Sequence, residues 1–148
     1  MSRKQSPHRW PVRVYYEDTD AGGIVYYANY FRFMERARTE MLREAGISLQ
    51  ELDNREQIIF VVGEAGARYK ASARLDDRLI VETSIKSVGN ASVSLQQNIL
   101  KQVADTESLL LEGSISLVLI TRQSKPVRIP QAIRDALMPY TVKENACP

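Results

Sequence analysis

The sequence predicts an α+β fold: one long helix packed by a curved antiparallel sheet of about five strands. Three observations carry this expectation. Helical periodicity is confined to a single stretch near the N-terminus. Four long alternating segments then follow one another, separated by short turn signals and not by further helices. Finally, the 148 residues are 44% hydrophobic and 26% charged, ordinary proportions for one globular domain.

The elements follow in order. Residues 11–17, "PVRVYYE", alternate as a first strand, with Val12, Val14 and Tyr16 on one face. From Ala28 to Ala45 the period becomes helical. Tyr30, Phe33, Met34, Ala37, Met41 and Ala45 form one stripe, and Gly46 supplies a C-terminal stop. Arg36 and Glu40 are spaced for an i,i+4 pair, and Glu35 and Arg38 for an i,i+3 pair. Strands are then expected over 57–70, 77–88, 91–103 and 109–121. Turns are expected at Asp76-Asp77, Gly89-Asn90 and Asp105-Thr106. A helix with one apolar stripe and a sheet with one apolar face pack together as two layers. The long sheet edges left over favour a homodimer at least.

Composition narrows the chemistry. The formal net charge is only +2, so no charge excess calls for a nucleic-acid partner. The opening "MSRKQSPHRWP" has basic residues but no apolar run after it, and no segment approaches the ~18 apolar residues needed to span a bilayer. The expected location is therefore cytoplasmic. The one cysteine, Cys147, lies near the C-terminus, and the one histidine, His8, falls in what reads as a polar N-terminal tail. A zinc site or a histidine-dependent triad has too few ligands to draw on. No metal and no cofactor is expected. Chemistry must come from carboxylates, hydroxyls, basic groups or backbone dipoles.

The stretch "YEDTDAGGIVYYANY" at residues 16–30 stands out. Two acids, Asp18 and Asp20, precede Gly22-Gly23 and then tyrosines at the start of the helix. Alone, an acid pair before glycines reads as a turn. With its continuation, "YYEDTDAGGIVYYANYFRFMERARTEML", and the later "RYKASARLDDRLIVET", the chain resembles hotdog-fold acyl-CoA thioesterases of the 4-hydroxybenzoyl-CoA thioesterase class. Within that class it is most similar to the Tol-Pal-system-associated, YbgC-like branch. The resemblance runs from Trp10 to about Pro130. It implies a tail over 1–9, a hotdog domain over 10–130, and a C-terminal helical segment and tail over 131–148.

The resemblance implies hydrolysis of acyl-CoA thioesters in sites shared between subunits of a homodimer, commonly paired into a tetramer. The catalytic carboxylate falls on Asp20, and the amide that polarises the thioester carbonyl falls on Tyr27. Gly22, Gly23, Val25, Tyr26, Asn29 and Tyr30 fall where substrate is held, although Tyr26 and Tyr30, with Phe33, read more readily as packing residues than as walls of an acyl pocket. Tyr27 stands where the YbgC-like branch commonly has histidine; the backbone amide, not the side chain, is the functional group. Coenzyme A carries phosphates, so the cations after the last strand, Arg122, Lys125 and Arg128, are candidates to meet them. An acyl-carrier protein is an alternative thioester carrier. A non-catalytic acyl-binding scaffold linked to the cell envelope is the competing function.

Elementary chemistry supports the enzymatic reading. A helix N-terminus offers unsatisfied N–H groups and a partial positive charge, which suit a developing oxyanion. A carboxylate over the same space can activate water or attack the carbonyl directly. Thioesters are activated, so this apparatus is sufficient.

Overall fold

The computed structural model describes residues 5–142. Five strands, β1 (His8–Arg13), β2 (Ile58–Tyr69), β3 (Arg78–Val88), β4 (Ser92–Val103) and β5 (Thr106–Thr121), form one antiparallel sheet in the order β1-β3-β4-β5-β2. The helix α1 (Asn29–Glu44) packs on one face of that sheet. A single turn, α2 (Leu49–Glu51), runs into Leu52–Glu56, and a short α3 (Gln131–Leu137) follows the last strand. This is the two-layer hotdog arrangement, with β1 and β2 as the sheet edges. No helix among the described residues is long and apolar enough to cross a membrane.

The helical stripe is buried as its spacing requires. Tyr30, Phe33, Met34, Ala37 and Met41 enter the core together with Leu42, whereas Ala45 is half-buried. They meet Leu79, Val81 and Ile85 of β3, Val93, Leu95 and Ile99 of β4, and Leu111, Ile115, Leu117 and Leu119 of β5. One buried polar knot ties the layers together. Gln97 on β4 donates to the α1 carbonyl of Met34 at 2.8 Å and to Thr83 Oγ1 at 2.9 Å. Its own side-chain oxygen accepts from Arg38 at 3.3 Å. Burial holds the Arg38 guanidinium below its usual basicity, with nearby Glu35 opposing. The helix surface pairs differently from the simple spacing: Glu40 binds Arg43, and Arg38 turns inward to Gln97.

The first strand is displaced from its expected place. It pairs with β3 from His8↔Thr83 to Arg13↔Arg78, while Tyr16–Asp18 forms a 3₁₀ turn that leaves Tyr16 80% exposed. The reason is local. The Asp18 carboxylate accepts the Tyr15 N–H at 2.8 Å, and the Thr19 N–H and hydroxyl both donate to Tyr16 O, which captures the chain in a turn. Upstream, His8 is 5% exposed and not part of a polar tail. Its Nε2 lies 2.7 Å from the Glu44 carboxylate at the end of α1, and its ring stacks on Trp10 and meets Tyr140 edge-on. The β4–β5 turn also tightens relative to expectation. Val103 pairs with Thr106, so β5 begins at Thr106 and the loop is only Ala104-Asp105.

Candidate active site

The loop between β1 and α1 folds back on itself as a small ladder. Thr19 bridges Val25, and the Asp20 N–H donates to Ile24 O at 3.0 Å. At the turn, the Asp20 carboxylate accepts the Gly22 N–H at 2.9 Å, and the Gly23 N–H donates to Asp20 O at 3.0 Å. Gly23 has φ of 75°, a conformation that disfavours any side chain. The ladder is fastened to the body of the protein by buried Val25, whose N–H donates to Ala73 O at 2.9 Å, and by a bridge between Ile24 and Arg74.

The other end of the ladder enters the helix. The Tyr26 N–H donates to Asp18 O at 3.2 Å, and the Asn29 side-chain amide donates to the same oxygen at 2.9 Å. The Asn29 N–H donates to Tyr26 O at 2.8 Å, and the Tyr30 N–H to Tyr27 O at 3.3 Å. Neither the Tyr27 N–H nor the Ala28 N–H donates to any group among the described residues. Two backbone donors without a partner among the described residues therefore lie where the partial positive charge of α1 is concentrated.

Asp20 is exposed on the same loop, at the turn of the ladder, with Tyr27 at the helix end. Beside Tyr27 lies a cavity of about 280 Å³ lined by Val25, Tyr27, Tyr30, Tyr69, Lys70, Ala71 and Ser72. Clefts of about 280 and 330 Å³ also flank the Gly46–Ser48 turn at the far end of α1. Volume alone does not single out one of these three openings, and the Asp20 carboxylate lines none of them. The cavity wall is phenolic. Tyr30 is buried, its hydroxyl accepts the Ala73 N–H at 2.9 Å, and burial pushes its pKa up. Burial also raises the Tyr69 pKa, with Tyr30 and Tyr27 contributing. Tyr26 is raised chiefly by its hydrogen bond with Tyr27.

Asp20, Gly22, Gly23, Val25, Tyr26, Tyr27, Asn29 and Tyr30 thus lie on one ladder and helix start. Within it, Val25 and Tyr30 are anchors turned into the core, and Asn29 binds Asp18 O. Asp18 holds the turn through Tyr15, and Asp77 holds another by accepting the Arg74 N–H at 2.8 Å. The three cations stand elsewhere in the chain. Arg122 binds Asp53, Arg128 binds Asn90, and Lys125 sits in the intervening turn. That turn follows Thr121, which pairs with Ile58 at the start of β2, whereas Tyr69 beside the cavity ends β2. Twelve strand residues separate those ends by roughly 36 Å. Among the described residues no group of three or more His, Cys, Asp or Glu could hold a metal ion.

A model of the thioesterase-like superfamily matches residues 14–137, most of the chain and the whole of this ladder and helix. The chain belongs to the thioesterase-like superfamily. As a member it is a thioester hydrolase with a hotdog fold. It is 47% identical over 126 residues to the acyl-CoA thioester hydrolase YbgC of Escherichia coli O6:H1, covering 84% of this chain and 91% of that protein. It is 39% identical to the acyl-CoA thioesterase YbgC of Haemophilus influenzae, covering 86% and 91%. A crystal structure of a probable thioesterase from Bartonella henselae superposes with a TM-score of 0.77 at 32% identity, covering 84% of this chain and all of that one. Within this thioesterase-like chain, sequence reasoning passed over Tyr69 as a site residue. Its only signal was its place two residues after Ala67 on the core-facing side of β2.

Proposed function

We propose that this thioesterase-like chain hydrolyses acyl-CoA thioesters to a free acid and coenzyme A. The observation that carries the reading is the pair of free N–H groups at the start of α1, on the same loop as exposed Asp20 and beside the cavity. The Tyr27 amide would hold the carbonyl oxygen as negative charge gathers on it. Asp20 would take the proton of an attacking water, or attack the carbonyl carbon itself. With water as the attacking group, the C–S bond then breaks and the acid is released directly; with Asp20 as the nucleophile, breaking the C–S bond leaves a mixed anhydride that water hydrolyses to the acid and free Asp20, and in both cases the thiolate of coenzyme A takes up a proton.

Release of free thiol from acetyl-CoA, palmitoyl-CoA and benzoyl-CoA tests this reading and sorts the acyl classes. The same acyl groups on an acyl-carrier protein separate the two carriers. Turnover of at least one of these thioesters is expected; binding without turnover of any would leave only the scaffold function.

A second copy of the chain fits the same reading. β2 is an edge strand with no neighbour on its outer side among the described residues, and Val62 at its middle is 48% exposed. Antiparallel pairing of two β2 edges would bring the partner's Arg122 end of the sheet towards the Tyr69 end of this chain. The cations expected to meet the phosphates of coenzyme A would then act across the interface. Sedimentation is expected to give a dimer or a multiple of it, and a strictly monomeric enzyme at working concentration would remove this arrangement.

A further inference from the structure

The ladder before α1 has a third segment, and together the three carry an outward row of side chains. Thr19 bridges Val25, with the Asp20 N–H on Ile24 O and the Tyr26 N–H on Asp18 O, so Asp20 stands directly opposite Ile24. Ile24 in turn bridges Arg74, with the Val25 N–H on Ala73 O at 2.9 Å and the Leu75 N–H on Gly23 O at 3.1 Å. Residues opposite one another across an antiparallel pair share a face. Val25 and Ala73 are buried, which turns their chain neighbours the other way: Asp20 and Arg74 are exposed, and Ile24 between them is half-buried. Asp20, Ile24 and Arg74 therefore form one row, its ends roughly 10 Å apart between Cα atoms.

Arg74 is held by its backbone and not by its charge. Its N–H donates to Asp77 Oδ2 at 2.8 Å, whereas its guanidinium has no ion pair or hydrogen bond among the described residues. Other cations around the ladder are committed. Arg13 donates to Asp76 O at 2.8 Å, Lys101 pairs with Asp77, and Lys70 pairs with Glu112.

A thioester that reaches Asp20 brings a phosphate with it. In coenzyme A and on an acyl-carrier protein alike, the sulfur ends a pantetheine arm whose other end is a phosphate. That arm is as long as about four extended residues, roughly 14 Å. We propose that Arg74 binds this phosphate: with the carbonyl at Asp20, the arm crosses Ile24 and its terminal phosphate meets the Arg74 guanidinium. This rests on the hydrolase reading above and adds a binding residue to the same site. The row spans roughly 10 Å and the arginine side chain adds its own reach, which together match the arm. A guanidinium presents paired N–H groups to phosphate oxygens. The 3′-phosphate of coenzyme A lies further out and is left to the cations across the interface. Arg74 does not touch the reacting atoms, so its contact is the same in ground and transition states and is felt in KM, not in kcat.

Arg74→Gln removes the charge and retains the backbone bond to Asp77, so its thermal midpoint is expected to match the wild type. NMR titration with pantetheine, 4′-phosphopantetheine and coenzyme A reads the contact without turnover. The wild type is expected to bind 4′-phosphopantetheine about 10-fold more tightly than pantetheine, in line with one charge-assisted contact. Arg74→Gln is expected to lose that gap and to keep the wild-type affinity for pantetheine; Arg74→Lys should recover part of it. The further step from 4′-phosphopantetheine to coenzyme A should be equal in wild type and Arg74→Gln. An effect of the variant confined to that step would give Arg74 a phosphate that only coenzyme A carries and overturn its place at the end of the arm. With whichever acyl-CoA the wild type turns over fastest, KM is expected to rise about 10-fold in Arg74→Gln while kcat stays within about twofold. A gap retained in Arg74→Gln, an equal loss towards pantetheine, or a fall in kcat at unchanged KM would overturn the assignment and leave the hydrolase reading intact. Absence of turnover by the wild type would remove the hydrolase reading, whereas a phosphate gap that disappears in Arg74→Gln would uphold the contact even then.

Discussion

Asp20→Asn is expected to lower kcat by at least about 100-fold while leaving the fold as stable as the wild type. The two halves of this expectation come from different parts of the same side chain. In the resting protein one carboxylate oxygen accepts the Gly22 N–H at 2.9 Å and closes the turn of the ladder. Asparagine retains an oxygen at that place, so the turn survives. What it loses is the charge and basicity needed to take a proton from water or to attack a carbonyl. A positioned base contributes roughly 10²–10⁴-fold, and a nucleophile whose loss abolishes the route can exceed that range. Asp20→Ala is the useful contrast, because it removes the turn bond as well and should lower the melting temperature in addition to the rate. Free-thiol release and thermal unfolding of both variants separate the roles. An Asp20→Asn enzyme within about tenfold of wild-type kcat would move the chemistry to another group.

The ladder also shows why this site was partly legible in the sequence. Asp20, Gly23 and Tyr27 lie on one contiguous stretch, so composition and order carried the acid, the turn and the helix start together. The helix was legible because its stripe recurs at the helical period. The last four strands were legible because they alternate between short turns, and their ends moved by no more than three residues. The first strand was harder. Its inward-facing residues include His8 and Trp10, and a buried histidine bound to Glu44 looks like a polar tail residue when its partner lies 36 positions away. The same limit hid Tyr69, which meets Tyr27 across 42 positions through strand pairing that local pattern does not encode. It also governs the three cations: Arg122, Lys125 and Arg128 are adjacent in sequence, but which end of a sheet they occupy follows only from the register of β5 on β2.

Gly113→Ala is expected to cost about 3 kcal/mol of stability, the sum of overpacking and a strained buried hydrogen bond. Gly113 lies mid-sheet on β5, opposite Gln97 of β4 and Ala67 of β2, directly beneath the helix. A methyl group there would stand 2.6 Å from the terminal carbon of Met34 and 2.7 Å from the backbone oxygen of Gln97. The Met34 side chain is fully buried, so its end can turn aside only by displacing neighbours. The Gln97 oxygen belongs to the central strand and has less freedom still. Relief by lifting α1 is opposed by the polar knot, since Gln97 binds Met34 O at 2.8 Å and supports the buried Arg38 guanidinium. Moving the helix would stretch those bonds; leaving it in place would retain the clash. For a chain of this length the loss corresponds to a melting temperature lower by roughly 6–12 °C. Gly66→Ala on neighbouring β2 is the control, because its methyl group would meet nothing nearer than Ser114 Oγ at 3.6 Å, an ordinary contact. Urea unfolding of the two variants should therefore diverge, with Gly66→Ala within about 1 kcal/mol of wild type. If Gly113→Ala matched that control, the layers would be able to separate without breaking the Gln97 knot, and the close seating of α1 on the sheet would not depend on glycine at 113.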